Sequence, residues 1–159
     1  MITTQTKKLD EILTNRISSG TITDIFGFRG TGKTQMALQI SLNLLKNEKN
    51  VFYVDTTGEF RPERLLEIVK NRNLDNSLLN RLQIARITNT EEQIRLIQKI
   101  NQIDDVSLLI VDNIADLFSF EYSKKEQLPI QQHEFMNYMH ELSRLAIDKK
   151  IPIVITNQL

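Results

Sequence analysis

The chain has 159 residues, 40% hydrophobic and 25% charged, enough for one domain whose core needs no covalent staple. It has no cysteine, which excludes a disulfide framework and thiolate metal sites and agrees with a reducing compartment. Twenty Lys and Arg balance twenty Asp and Glu, so bulk charge advertises no polyanion partner and any nucleic-acid contact must come from a local patch.

The opening stretch, MITTQTKKLDEIL, holds no apolar run of signal-peptide length, and no later segment approaches the length of a membrane span. A cytoplasmic protein is therefore expected. Thr21–Phe26 is a β-branched and apolar run closed by Gly27, the first predicted strand. Met36, Ile40 and Leu44 then recur every fourth residue, an apolar helical stripe. A polar break at Asn47 to Asn50 precedes a second buried strand, Val51–Val54. Pro62 suits the first turn of the next helix, with Leu65, Leu66 and Val69 on its apolar side.

Leu82–Ile87 is the third predicted strand. Ile94, Ile97, Ile100 and Ile103 predict a helix, with Thr90 as its N-cap and Gln93 as the capping-box partner. Ser107–Val111 is the most apolar strand and stops at Asp112. Phe135, Met139, Leu142 and Ala146 mark the last helix, and Ile153–Thr156 the last strand. Strands alternating with helices predict an α/β fold around a mainly parallel sheet. No internal repeat, low-complexity stretch or linker divides residues 1–159, so a single domain is expected.

Gly27-Phe28-Arg29-Gly30-Thr31-Gly32-Lys33-Thr34 satisfies the phosphate-loop pattern G-x-x-x-x-G-K-[ST]. Its glycines let successive backbone N–H groups turn toward phosphate oxygens, and the helix that starts near Gly32 aims its N-terminal dipole at the same anion. Gln35 extends the expected binding segment. Lys33 is placed to reach the β- and γ-phosphates of ATP, and the Thr34 hydroxyl to ligate Mg²⁺. A glycine-rich turn with a surface lysine is the plainer alternative, but position after a strand and before a helix is what the phosphate mechanism requires. Leu108-Leu109-Ile110-Val111-Asp112 supplies the second piece, a buried strand ending in a carboxylate suited to the Mg²⁺ hydration shell. On its own such an Asp is as readily a turn residue.

With these residues in place, the chain resembles the RecA-like recombinases of the archaeal RadA and RadB type. Thr21–Gly27 running into Gly32-Lys33-Thr34-Gln35 carries the likeness, as do Val54-Asp55-Thr56, Phe60-Arg61-Pro62-Glu63-Arg64, Glu121-Tyr122, Leu142 to Ala146 and the closing Thr156-Asn157-Gln158. These segments span nearly the whole chain in order. No helical DNA-binding module precedes the core, which makes the chain more similar to RadB or a short RadA paralogue. The resemblance implies a RecA-like P-loop ATPase core acting in DNA recombination and repair, with ATP and Mg²⁺ as cofactors. Gln158 would sense the γ-phosphate. Tyr122 to Gln131 would be the first DNA-binding loop, with Lys124 and Lys125 as phosphate contacts to single-stranded DNA. A neighbouring subunit, from a homo-oligomer or a recombinase paralogue, would complete the site.

Four departures from the family's pattern bear on mechanism. Where relatives place a water-activating glutamate the chain has Thr57, and the nearest carboxylate in sequence is Glu59, reachable if the loop bends at Gly58. ATP binding with slow hydrolysis is the expectation, and a nucleotide-gated mediator or a KaiC-like regulatory ATPase without DNA are its rivals. Ser123-Lys124-Lys125-Glu126 replaces a Gly-Arg-Gly type segment, losing flexibility and the bidentate Arg. No Phe-x-x-Ala sequence occurs, so the family's usual polymerisation hook is missing. The sequence stops at Leu159 where relatives continue, which suggests a shortened core whose last strand lacks the neighbours that normally cover it.

Overall fold

The computed structural model describes residues 2, 4, 6–12 and 17–159. Five strands, β1 (Ile22–Gly27), β2 (Val51–Asp55), β3 (Leu82–Arg86), β4 (Leu108–Asp112) and β5 (Ile153–Gln158), form one sheet in the order β1-β5-β4-β2-β3. All its pairings are parallel. Six α-helices accompany it: α1 (Lys7–Ile12), α2 (Lys33–Lys46), α3 (Pro62–Asn71), α4 (Thr90–Asn101), α5 (Asp116–Glu121) and α6 (Leu128–Lys149). Among the described residues no helix is long and apolar enough to cross a membrane.

Connectivity explains the layering. From β1 to β2 to β3 the chain moves one way across the sheet, and from β3 to β4 to β5 it moves back. With one crossover hand, reversing direction puts the connecting helices on opposite faces. One core accordingly joins α2 and α3 to Val51, Tyr53, Leu108, Ile110 and Val154. The other joins α4, α5 and α6 to Phe52, Val54, Leu109, Val111, Ile153 and Ile155. Successive residues of each strand thus feed alternate cores, and β2 and β4 are buried along their whole length. Such two-sided burial is why these strands read as unbroken apolar runs.

Helical stripes follow the sequence pattern with identifiable exceptions. Ile40 and Leu44 of α2 are buried, and so are Leu142 and Ala146 of α6. On α3, Leu65 and Val69 face the core while Leu66 is 44% exposed, so the apolar stripe is narrower than its composition implies. The cap of α4 is Asn89, one residue earlier than expected; its side chain accepts the Glu92 N–H at 2.9 Å. Thr90 instead turns its hydroxyl to the Glu121 carboxylate. Gln93 is not a capping partner either: it is buried and donates its amide to the Ile114 carbonyl at 3.1 Å.

Two larger expectations are corrected. The last strand does not lack neighbours, because β5 lies inside the sheet between β1 and β4, and the edges are β1 and β3. The stretch Tyr122 to Gln131 is not one open loop. Lys125–Gln127 forms a 3₁₀ turn and α6 starts at Leu128, with Pro129 in its first turn where its fixed φ costs nothing. Gln131 also donates to the Phe118 carbonyl at 3.1 Å, binding α6 back onto α5.

Leu142 is fully buried in the second core. Leu142→Ala is expected to lower unfolding free energy by about 2–5 kcal/mol. A urea titration should show this as a lower midpoint at unchanged slope, whereas Leu66→Ala should stay within about 0.5 kcal/mol of the parent.

Candidate active site

The carboxyl ends of parallel strands are where open α/β sheets bind ligands, and here register decides which residues meet there. Gly27 pairs with Gln158, and Asp55 pairs with Asp112. A cleft of about 950 Å³ opens over these ends.

The phosphate loop forms one wall. Arg29, Gly30, Gly32, Lys33, Thr34 and Gln35 line the cleft. Gly27, Phe28 and Thr31 shape the loop from behind: the Thr31 hydroxyl donates to the Phe28 carbonyl at 2.8 Å, and a Cβ on Gly27 would lie 3.1 Å from that hydroxyl. Gly30 and Gly32 hold φ of 79° and 88°, a left-handed backbone that favours glycine. Gly32 is the N-cap of α2 and brings no side chain to its first turn. The leading N–H groups of a 14-residue helix are thereby left to an anionic ligand. The Lys33 ammonium donates to the Gly27 and Phe28 carbonyls, both at 2.9 Å, which holds it over the loop. This loop fits a triphosphate.

The opposite wall starts with Asp112. Its carboxylate is buried; one oxygen accepts the Tyr53 hydroxyl at 2.6 Å and the other accepts the Thr156 hydroxyl. Burial, and then the Asp112 carboxylate, push the Tyr53 phenol well above its ordinary range, so it stays a donor. With Thr34 lining the same cleft, the donor set suits a phosphate-bound Mg²⁺. Among the described residues no three His, Cys, Asp or Glu side chains cluster closely enough to hold a metal by themselves. Any ion here would need oxygens from the nucleotide.

The loop after β2 carries the expected catalytic position. Asp55 is buried and accepts the N–H groups of Thr57, Gly58 and Phe60 at 3.1, 2.9 and 3.3 Å, together with the Thr57 hydroxyl at 3.0 Å. Gly58 has φ of 71°, and a Cβ there would lie 2.1 Å from the Arg86 guanidinium. The freedom that glycine lends this loop is thus used to fix it. Glu59 lines the cleft, but its carboxylate pairs with Arg29 at 3.0 Å on the exposed rim. Gln158 lines the cleft beside the phosphate loop. Lys124 and Lys125 lie outside it, exposed on the turn between α5 and α6.

Comparison with known proteins gives the family. The Rad51 family model matches residues 1–159. The chain belongs to the Rad51 family. It is 35% identical over 167 residues to a protein of Aeropyrum pernix named DNA repair and recombination protein RadA. It is 33% identical over 168 residues to the protein of the same name from Metallosphaera sedula. Each alignment covers 99% of this chain and 52% of the relative, so the chain spans about half the length of the relatives it matches.

Several residues in or next to the cleft of this Rad51-family chain escape sequence reasoning. Tyr53 and Thr156 hide in apolar strands, although a buried Tyr announces that its hydroxyl needs a partner. Asp55 ends its strand just as Asp112 does, and the twin patterns VFYVD and LLIVD were the available signal. Arg64 and Asp116 also line the cleft. Asp116 opens α5 four residues beyond Asp112, and its carboxyl is pushed above the ordinary value of 3.8. Burial is the main cause, followed by the charges of Asp112 and Glu59; Lys33 and Arg29 act in the opposite sense.

A raised carboxyl pKa favours the folded protein most below the unfolded value of 3.8, and that advantage is lost as pH rises through the folded value. Asp116→Asn is therefore expected to raise the melting temperature at pH 7. The gain should shrink as pH falls toward 4, a trend that thermal unfolding across pH would record.

Proposed function

We propose that this domain is the Mg·ATP-binding core of a DNA repair and recombination protein and that it turns ATP over slowly. The carrying observation is the convergence of Lys33, Thr34 and Asp112 on one cleft, in a chain of the Rad51 family. Loop N–H groups and the start of α2 would hold the β- and γ-phosphates, with Lys33 exchanging neutral carbonyls for anionic oxygens. Thr34 and Asp112 would hold Mg²⁺, which supplies charge neutralisation on those phosphates. Gln158, on a strand paired directly to the phosphate loop, suits a sensor of the γ-phosphate.

Slow turnover follows from Thr57. Its hydroxyl is tied to Asp55 and it has no carboxylate to accept a proton from water. The names of the relatives support action on DNA, and single-stranded DNA is the proposed partner. Lys124 and Lys125 are exposed cations on a short turn, the geometry that phosphate contacts use. A second copy or a recombinase paralogue is the proposed protein partner, and the cytoplasm the proposed setting. The family assignment disfavours a KaiC-like regulatory ATPase.

The reading is tested by equilibrium binding of radiolabelled ATP with Mg²⁺ and by single-turnover hydrolysis with and without single-stranded DNA. Lys33→Ala should weaken ATP binding by roughly 10- to 150-fold, the equivalent of a charge-assisted hydrogen bond of about 1.5–3 kcal/mol. Failure of the parent protein to bind ATP would overturn the proposal. For DNA, affinity should fall as salt rises. Replacing both Lys124 and Lys125 by Ala should flatten the log–log salt slope by about 1.4, at about 0.7 per single-strand phosphate contact; an unchanged slope would remove them from the interface.

A further inference from the structure

The Thr57 hydroxyl and four carboxylates stand in or next to the cleft as candidate proton acceptors for a water that attacks the γ-phosphate, and four of these five groups are committed elsewhere. The Thr57 hydroxyl donates to Asp55 and accepts the Glu59 N–H at 3.1 Å. The Asp55 carboxylate is occupied by three loop N–H groups and that hydroxyl. Asp112 has a hydroxyl on each oxygen. Glu59 is paired with Arg29 at 3.0 Å on the exposed rim. Asp116 is the fifth. It is half-buried, lines the cleft, and has no hydrogen-bond or ion-pair partner among the described residues.

We infer that Asp116 is the carboxylate that accepts the proton of the attacking water in ATP hydrolysis, an inference that rests on the nucleotide-binding reading above. The water oxygen bonds to the γ-phosphorus as the bond from that phosphorus to the bridging oxygen breaks. The leaving electron pair stays on the β-phosphate of ADP. The water proton passes to Asp116 and from there to the released phosphate or to solvent. Asp116 lines the same cleft as Lys33 and Arg29 of the phosphate loop, Asp112 at the end of β4 and Glu59 of the loop after β2. Desolvation and the two acidic neighbours raise its affinity for a proton, as a base requires. A second metal site is the competing use for an added carboxylate, but among the described residues no three acidic or His side chains cluster to hold one.

Asp116→Asn keeps the size and removes the base. In the intact chain with Mg²⁺ and radiolabelled ATP, single-turnover hydrolysis should fall by about 10²-fold or more. Equilibrium ATP binding should stay within about threefold, a split that a merely structural role would not give. Glu59→Gln should cost at least tenfold less than Asp116→Asn. Adding Thr57→Glu to the Asp116→Asn protein should recover turnover, because it returns a carboxylate to the cleft by another route. Three results would overturn the assignment: an unchanged rate in Asp116→Asn, equal losses of rate and binding, or a larger loss in Glu59→Gln. A parent protein that binds ATP but never hydrolyses it would also overturn the assignment while leaving nucleotide binding intact. No ATP binding at all would remove both.

Discussion

One buried carboxylate ties the middle of this protein together. Asp112, at the end of β4, takes a hydroxyl from Tyr53 on β2 and another from Thr156 on β5. Three adjacent strands are thereby joined at their carboxyl ends by charge-assisted hydrogen bonds, which are stronger than neutral ones. A slip of one residue in either pairing would turn Tyr53 or Thr156 to the opposite face and leave the charge buried without partners. The register that satisfies Asp112 also sets Asp55 beside it. The alignment of the carboxyl ends of β2, β4 and β5 is therefore tied to satisfying a single buried charge.

Around that point, the two walls are held by different means. The loop after β2 is rigid because Asp55 collects its N–H groups and Gly58 lies flat against Arg86. The phosphate loop is held chiefly by Lys33 on two neutral carbonyls. A polyphosphate offers this cation stronger, anionic acceptors than it now has.

Much of this was legible in the sequence because the fold is simple in its periods. Runs such as Leu108–Val111 have only one comfortable place, the inside of a parallel sheet, and the glycines of the phosphate loop announce an unusual backbone before a helix. The reading failed where two local solutions were equally good and a distant contact chose. Asn89 with Glu92 and Thr90 with Gln93 are overlapping caps of equal merit in sequence. Glu121 and the Ile114 carbonyl, both far along the chain, take up Thr90 and Gln93 and leave the cap to Asn89. Strand order was similarly invisible: nothing local in Ile153–Gln158 reveals that it lies inside the sheet. The roles of Tyr53, Asp55 and Asp116 depend on neighbours from other strands and loops, so no window along the chain contains them.

A threonine at position 57 and a carboxylate at position 116 have a structural logic. A glutamate at 57 would start from a loop whose N–H groups already converge on Asp55. Threonine there joins the network around Asp55 as a donor and strengthens it. Asp116 brings its carboxylate from α5 instead, at the first turn of that helix. That placement keeps the carboxylate on a packed element, since Leu117 and Phe118 beside it are buried in the core. A proton acceptor held on α5 moves only if that core moves. This Rad51-family chain thus combines a phosphate loop that adapts with an acidic wall that does not.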